Sequence, residues 1–387
     1  MRIIFPRMET LEFHKAYDGG AKFIHYLSQY LVKNGVDVTI VTTKLRKKDT
    51  SFHKLKGVEY IFLPIKYTGD RFIPFNVFYK FIYSFLLNHW IKRNEVDILH
   101  SAEAFSFFYL MNKHRKKVIF QCWGLEPFYG PESLSQKGLK KLYVKLFLRA
   151  PWKHCINKSD SIAIDGKFQV QKVSSLGVPK YKMFILPNGV NIKGIINLKK
   201  QNKRKKLKIK KDDLVLLSVC QIANDKGVND IIDAFSIVHK KIKKSKLIMI
   251  GKGPLEKKMH SYINHLNLQK EIIHLKNIPE KELYNYYFSS DIFISASLQH
   301  DFKICIQEAM ACGMPIISYA QPFLVKNGFN GFVTKEKTPK GIAKSVFKII
   351  KNKSKKKMGI NSRAMAFEYD WDNLAKLAIK EYKNLLK

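Results

Sequence analysis

The segment SSDIFISASLQHDFKICIQEAMACGMPIIS, residues Ser289–Ser318, has the pattern of a strand, a polar loop, a short helix and a second strand. The apolar run Ile292–Ile294 predicts a buried strand, and the helix is expected to begin at about Lys303. Gly313 should end that helix, and Met314–Ser318 predicts a second buried strand. Such a unit is typical of a parallel α/β domain, in which ligands lie where loops leave the strand ends.

The start of the predicted helix is suited to binding an anion or sugar hydroxyls. The main-chain N–H groups of Phe302, Lys303 and Ile304 have no partner within the helix, so they can donate to a ligand. Glu308 projects from the same helix among small neighbours. A carboxylate in such a closely packed setting needs hydroxyl or amide partners.

The segment resembles the signature of glycosyltransferase family 4, the retaining nucleotide-sugar enzymes of the GT-B fold. That signature is E-x-F-G-x-x-x-x-E-A-M-A-C-G-x-P-[VI]-[VI], and the chain keeps ten of its positions: Phe302, Glu308, Ala309, Met310, Ala311, Cys312, Gly313, Pro315, Ile316 and Ile317. It differs at His300, where the family has its first glutamate, and at Lys303, where it has glycine. The resemblance implies that Glu308 holds the ribose hydroxyls of a nucleotide and that position 300 touches the transferred sugar.

His300 and Glu308 are expected to have separate duties. If most of the intervening chain is helical, their α-carbons lie roughly 10–12 Å apart, which is too far for the acid and base pair of a glycosidase. Histidine can bond a hydroxyl but brings no fixed negative charge. Three outcomes stay open for His300: an altered sugar preference, a slow enzyme or a non-catalytic relative. A plain surface-loop residue is the simpler alternative.

A second motif lies in CQIANDKGVNDIIDAF, which begins at Cys220. It resembles the family's G-R-x-x-x-x-K-G, whose arginine and lysine hold the diphosphate of the donor. Lys226 and Gly227 are kept, whereas Gln221 replaces the arginine. A lysine at a loop–helix junction can neutralise a departing diphosphate without a metal ion. The simpler alternative is one more exposed lysine.

The N-terminal sequence DGGAKFIHYLSQYLVKNGVDVTIVTT resembles the family's glycine loop, helix and strand. Gly19 and Gly20 could let the backbone approach a phosphate of the donor at the helix start. An ordinary turn is the alternative, since two adjacent glycines are a weak signal.

Strands alternate with helices along the whole chain, which predicts parallel sheets. With the resemblance, this gives an α/β protein of the GT-B fold, with two Rossmann-like domains facing an interdomain cleft. Residues 1–190 form the predicted N-terminal, acceptor-side domain and 191–365 the nucleotide-sugar-binding domain. Residues 366–387, with a helix from about Asp372 to Leu386, return to the N-terminal domain.

The composition is strongly basic, with 70 Lys and Arg against 31 Asp and Glu and a formal net charge of +39 over 387 residues. Such a field attracts polyanions, although a biased genome composition could account for part of it. The five cysteines are scattered without a C-x-x-C pair, which favours reduced thiols in the cytosol. No signal peptide is recognised and no metal or other cofactor is expected.

Three segments could contact a membrane. The helix predicted over Phe72–Trp90 carries a polar stripe (Asn76, Lys80, Ser84, Asn88), which favours packing inside the N-terminal domain over interfacial insertion or spanning. Gly138–Trp152 pairs an apolar face with basic residues and suits anionic headgroups. The nine basic residues of 199–211 predict a solvated loop or, alternatively, a membrane or polyanion contact.

The resemblance to glycosyltransferase family 4 implies a retaining glycosyltransferase that moves a sugar from a UDP- or GDP-sugar, and the acceptor is expected to be a hydroxyl of a lipid-linked or cell-surface glycan. A cytoplasmic protein, peripheral on the inner face of the cell membrane, is expected, and nucleic acid is not an expected partner. The competing hypothesis is a weak or inactive GT-B relative that acts as a basic membrane- or polyanion-binding protein.

Overall fold

The computed structural model describes residues 1–14, 18–44, 50–66, 73–129, 138–298, 304–320 and 323–387. The chain divides into two compact units. Unit 1 contains Met1–Gly189 and Trp371–Lys387, and unit 2 contains Val190–Asp370. The first boundary lies one residue from the predicted one, and the chain returns to unit 1 five residues later than predicted.

Unit 1 is built on an eight-stranded sheet in the order β3-β4-β2-β1-β5-β6-β7-β8. All neighbouring strands are parallel except β3 and β4, which pair antiparallel. The strands are β1 (Arg2–Pro6), β2 (Asp37–Lys44), β3 (Phe52–Leu55), β4 (Val58–Lys66), β5 (Ile98–Ala102), β6 (Lys117–Cys122), β7 (Ser161–Ile164) and β8 (Met183–Ile185). Apolar runs such as Ile3–Phe5 are buried on both faces, as parallel strands require.

The α-helices of unit 1 are α1 (Leu11–His14), α2 (Gly19–Lys33), α3 (Ile73–Ile91), α4 (Glu126–Tyr129), α5 (Gly138–Tyr143), α6 (Ala150–Lys158), α7 (Val170–Ser174) and α15 (Trp371–Leu386). The C-terminal helix α15 packs against α2 and places Trp371 and Tyr382 in the buried core of unit 1. Gly189 is the last residue of the first segment of unit 1. A Cβ at Gly189 would lie 2.6 Å from the Trp371 ring.

Unit 2 contains a six-stranded, all-parallel sheet in the order β11-β10-β9-β12-β13-β14. Its strands are β9 (Leu214–Val219), β10 (Ser245–Ile250), β11 (Ile272–Leu275), β12 (Ile292–Ser295), β13 (Ile316–Ser318) and β14 (Gly331–Val333). Its α-helices are α8 (Ile192–Ile196), α9 (Val228–Lys241), α10 (Glu256–His265), α11 (Glu280–Phe288), α12 (Ile304–Ala311), α13 (Pro339–Lys351) and α14 (Lys355–Ala366). Two apolar clusters fill the space between the sheet and these helices.

Helix α12 ends at the predicted glycine. Gly313 adopts a left-handed φ of +75°, its N–H donates to the Met310 carbonyl, and the Met314 N–H donates to the Ala309 carbonyl. These two bonds are those of a Schellman motif. The Arg363 side chain from α14 donates to the next two carbonyls, so the end of the signature helix is fully bonded.

Helix α3 packs within unit 1, as its polar stripe predicts. Three stripe residues contact the segment that follows β5: Lys80 pairs with Glu103, Ser84 accepts from the Phe108 N–H at 3.3 Å, and Asn88 accepts from Asn112 at 2.8 Å. The side chain of Asn76 lies outside the described residues. In the described ranges, no helix is long and apolar enough to cross a bilayer.

The helix expected over Gly138–Trp152 is not regular. A π-helical stretch, Val144–Arg149, separates α5 from α6. In a regular helix Lys141, Lys145 and Arg149, spaced four residues apart, would form a basic line along one face. The wider turn shifts the side-chain phase and breaks this line, because Arg149 donates to the Pro127 carbonyl. Leu142, Leu146 and Phe147 are about half exposed.

The basic segment 199–211 is only partly the solvated loop that was predicted. Lys203 is buried and lies near Glu282. Arg204 pairs with Asp291 and donates to four backbone carbonyls, which fastens the segment to unit 2. The other seven basic residues are exposed: Lys199, Lys200, Lys205, Lys206, Lys208, Lys210 and Lys211.

Candidate functional site

The candidate donor site lies at the carboxyl edge of the unit 2 sheet, where β9 and β12 are neighbours. After β9 the chain forms a 3-10 turn, Asn224–Lys226, and reaches Gly227 with φ +64°. A Cβ at Gly227 would lie 2.5 Å from the Ala296 carbonyl oxygen. The Ser297 hydroxyl donates to the Asp225 carbonyl at 3.3 Å. The Lys226 turn therefore packs directly on the chain that leaves β12 toward the signature loop.

Lys226 has a side chain that is 20% exposed, and its Nζ donates to Asp225 Oδ2. The ammonium is thus held on the turn, at the carboxyl edge of the sheet, rather than extended into solvent. Gln221, the residue in place of the family's arginine, is exposed. A glutamine brings no positive charge, so at the arginine position this edge lacks the cation that the family carries.

Glu308 lies in the middle of α12 and is 4% exposed. Its Oε2 accepts a hydrogen bond from the Tyr287 hydroxyl of α11 at 2.9 Å. Burial, followed by the charge of Glu308, holds the pKa of the Tyr287 phenol well above its ordinary value, so this hydroxyl remains a donor. Tyr287 positions the carboxylate, and sequence reasoning missed it because the two residues belong to different helices.

Several predicted donor-binding residues fall at or beyond the limit of the described chain. His300, Phe302 and Lys303 lie outside the described residues. Ile304 is the first residue of α12 and is half-buried.

The glycine pair of unit 1 lies at the start of α2, as predicted, but its surroundings were not foreseen. Asp18 caps the helix and accepts from the N–H groups of Gly20 and Ala21 at 2.9 and 3.1 Å. Arg7 donates to both carboxylate oxygens of Asp18 at 2.7 and 2.8 Å. A Cβ at Gly20 would lie 2.7 Å from the Trp123 ring. Close packing on Trp123 therefore gives Gly20 a structural reason to be glycine.

A further charged pair at the carboxyl edge of unit 1 was missed. Glu103 follows β5 directly, has a left-handed φ of +53° and pairs with Lys80 of α3. Burial acts to raise the pKa of Glu103, but the charges of Lys80 and Arg7 outweigh it and hold that pKa below its usual value. An acidic residue shortly after Val96–His100, a segment typical of a buried strand, was the available signal.

Comparison with known proteins matches each half of the chain to a glycosyltransferase family model. Residues 199–365 match the family "Glycosyl transferases group 1", and residues 17–193 match "Glycosyltransferase Family 4". The α-monoglucosyldiacylglycerol synthase of Acholeplasma laidlawii is 31% identical over 155 residues, which are 38% of this chain and 39% of that protein. The matched regions span 34% to 59% of the length of the first curated relatives.

Two solved structures share the fold over nearly the whole chain. Sucrose-phosphate synthase of Thermosynechococcus elongatus superimposes with a TM-score of 0.79 at 18% identity, covering 99% of this chain and 98% of that one. Anabaena HepE in complex with UDP-glucose gives a TM-score of 0.70 at 15% identity, with coverage of 99% and 100%. The chain belongs to the family 4 glycosyltransferases and has the GT-B fold.

Proposed function

We propose that the protein transfers a sugar, with retention of configuration, from a UDP- or GDP-sugar to a hydroxyl of a lipid-linked or cell-surface glycan acceptor. The observation that carries this proposal is the buried carboxylate of Glu308 in α12, which is held by a hydrogen bond from Tyr287 of α11. A buried carboxylate is costly unless it is hydrogen-bonded. Binding the ribose hydroxyls of a nucleotide is the duty that the family resemblance gives it.

The donor's diphosphate is assigned to Lys226. Its turn is hydrogen-bonded to Ser297, so it lies on the same sheet edge as the residues that directly follow β12. As the sugar bond breaks, negative charge grows on the diphosphate, and a fixed ammonium stabilises that charge in the transition state. The structurally similar HepE was solved in complex with UDP-glucose, which supports a uridine donor.

The transfer step itself needs no protein nucleophile in the mechanism proposed for this family. The acceptor oxygen approaches the same face from which the diphosphate leaves, and the diphosphate takes the acceptor proton. We assign His300 to the transferred sugar and the main-chain N–H groups of Phe302, Lys303 and Ile304 to its hydroxyls. We also assign a phosphate of the donor to the helix start at Gly19 and Gly20, where the N–H groups of Gly20 and Ala21 donate to Asp18 in the structure.

Calorimetric titration with UDP and GDP tests the donor site. We expect one nucleotide to bind and Glu308→Gln to weaken it by roughly tenfold to a hundredfold, since a bond to an ionised group is worth about 1.5–3 kcal/mol. Glu336→Gln, an exposed carboxylate of unit 2, is the matched control and should leave the affinity unchanged. If neither nucleotide binds the folded protein, the basic, non-catalytic binding protein becomes the better description.

The acceptor side of the proposal includes an anionic membrane surface. Leu142, Leu146 and Phe147 are about half exposed, next to exposed Lys141 and Lys145. Apolar side chains flanked by lysines favour insertion among anionic headgroups. The seven exposed lysines of 199–211 add to the attraction. The A. laidlawii relative is named as a synthase of a diacylglycerol glycolipid, which supports a lipid-linked acceptor.

Co-sedimentation with vesicles tests this contact. We expect binding to vesicles that contain phosphatidylglycerol, little binding to pure phosphatidylcholine, and a loss of at least about fivefold for Leu146→Gln/Phe147→Gln. Ile360→Gln, an exposed apolar residue of unit 2, should bind like the unmodified protein. Equal sedimentation of the double variant would exclude this segment as the contact.

A further inference from the structure

The carboxyl edge of the unit 1 sheet holds a charged group that the proposed donor chemistry does not use. Glu103 is the first residue after β5, and its side chain is 24% exposed. In a parallel α/β sheet this edge is where ligands bind. The residue is therefore placed where a small molecule can reach it.

The backbone at Glu103 is held in an unfavourable conformation. Its φ of +53° is left-handed, which costs a non-glycine residue about 1–2 kcal/mol. Residues kept in such conformations are enriched at functional sites, where the surrounding structure over-determines them. Here the ion pair and the two hydrogen bonds between α3 and residues 103–112 supply that constraint.

Only one oxygen of the Glu103 carboxylate is hydrogen-bonded within the described part of the chain. Glu103 Oε2 is bonded to Lys80 Nζ, and Oε1 has no hydrogen-bond partner among the described residues. Lys80 and Arg7 keep the group ionised, as the lowered pKa indicates, despite its burial. An ionised oxygen that is accessible and unbonded is a strong acceptor for a hydroxyl donor.

We infer that Glu103 binds a hydroxyl of the acceptor and so determines which acceptor the enzyme takes. The ligand class is a neutral polyol, either a sugar or the glycerol of a lipid. Lys80 positions the carboxylate and does not itself touch the ligand. This inference deepens the proposed function, since it assigns the acceptor side of the same reaction.

Saturation-transfer NMR on the whole chain tests the inference without requiring turnover. The probes are methyl α-D-glucopyranoside for a sugar and glycerol for a lipid headgroup, and the better binder identifies the source of the hydroxyl. We expect Glu103→Gln to raise the dissociation constant of that probe by at least about tenfold, because the bond to an ionised acceptor is lost. Glu95→Gln, an exposed carboxylate just before the same strand, should leave it within twofold.

A second variant separates binding from a structural role. Lys80→Gln removes the ion pair but keeps the Glu103 carboxylate, whose ionisation the charge of Arg7 still favours, so polyol binding should weaken clearly less than in Glu103→Gln. Equal loss of binding in Lys80→Gln and Glu103→Gln, with equal loss of thermal stability, would show that the ion pair only fastens α3 to the chain after β5. That result would overturn the inference. So would unchanged probe binding in Glu103→Gln, or no binding of either probe.

A nucleotide titration on the same samples tells the two proposals apart. UDP or GDP affinity should be unchanged in Glu103→Gln. If nucleotide binds but no polyol binds, only the assignment of Glu103 fails. If no nucleotide binds, the proposed function fails, and the acceptor assignment falls with it.

Discussion

The carboxyl edges of the two sheets are built by different means. In unit 2, main chains approach closely at glycines: a Cβ at Gly227 would lie 2.5 Å from the Ala296 oxygen, and one at Gly251 would lie 1.9 Å from the Cys220 oxygen. In unit 1, charged side chains hold the edge, as in the Arg7–Asp18 and Lys80–Glu103 pairs. A close backbone approach requires a glycine, which can be recognised in a local motif such as Lys226-Gly227, whereas the ion pairs of unit 1 belong to no such motif.

The largest expected effect concerns the donor side of this comparison. Lys226→Met should lower kcat/KM for the nucleotide sugar by about 10²–10³, which is about 3–4 kcal/mol, because the fixed positive charge that stabilises the diphosphate is removed. Steady-state kinetics with the nucleotide sugar that binds would measure it. Lys257→Met, an exposed lysine on α10, keeps the overall charge change and should have no comparable effect. A small, equal effect of both variants would reduce Lys226 to general surface charge.

The same difference explains what could be predicted from the sequence. The signature helix, its end at Gly313 and the strands around it were predictable, because each depends on residues within a few positions of one another. The turn at Lys226 and Gly227 was predictable for the same reason. Tyr287 was not, since its bond to Glu308 spans two helices. Arg7 and Glu103 escaped because their partners are 11 and 23 residues away.

Two other features of unit 1 could not be predicted from the sequence pattern, for local physical reasons. The helix over Gly138–Trp152 was expected to be regular, but the π-helical stretch at Val144–Arg149 moves Arg149 off the basic line. A single wide turn leaves no periodic signal in a short helix. For Gly20, a phosphate contact was expected, and the pattern could not show that Trp123 packs on it.

The pH dependence of the free energy of unfolding should reveal a buried histidine in the interior of unit 1. His100 is fully buried between the Tyr382 hydroxyl and Gln121, and burial lowers its pKa to about 4 from 6.5. The unfolded chain takes up a proton on this histidine below about pH 6.5 and the folded chain does not. Stability is therefore lost as the pH falls from 6.5 toward 4, by about 3 kcal/mol.

Denaturant unfolding of the unmodified protein and of His100→Gln, at pH 7 and at pH 4, measures this loss. The stability difference between the two proteins should shrink by about 3 kcal/mol at the lower pH, since the glutamine does not titrate. His114→Gln, an exposed histidine, should show no such narrowing. A constant difference across the range would mean that His100 takes up its proton as readily in the folded protein as in the unfolded chain.

A glycine exchange tests the backbone contacts of unit 2. Gly227→Ala should destabilise the protein by about 2 kcal/mol more than Gly35→Ala, as followed by denaturant unfolding. Both glycines have positive φ, +64° and +79°, but nothing lies within 4 Å of a Cβ at Gly35. The difference isolates the contact with Ala296 from the conformational cost. Equal losses would show that this edge can relax around a methyl group.

The smallest effect tests whether a single hydroxyl orients the donor carboxylate. Tyr287→Phe removes the bond to Glu308 and should raise the dissociation constant of the bound nucleotide about fivefold to tenfold, which is about 1 kcal/mol. Tyr284→Phe is a close control, because Tyr284 lies on the same helix and bonds Glu280 instead. Calorimetry should find the control unchanged. If both variants bind equally well, Glu308 is held by its packing alone, and the donor edge depends on backbone shape even more than the comparison with unit 1 suggests.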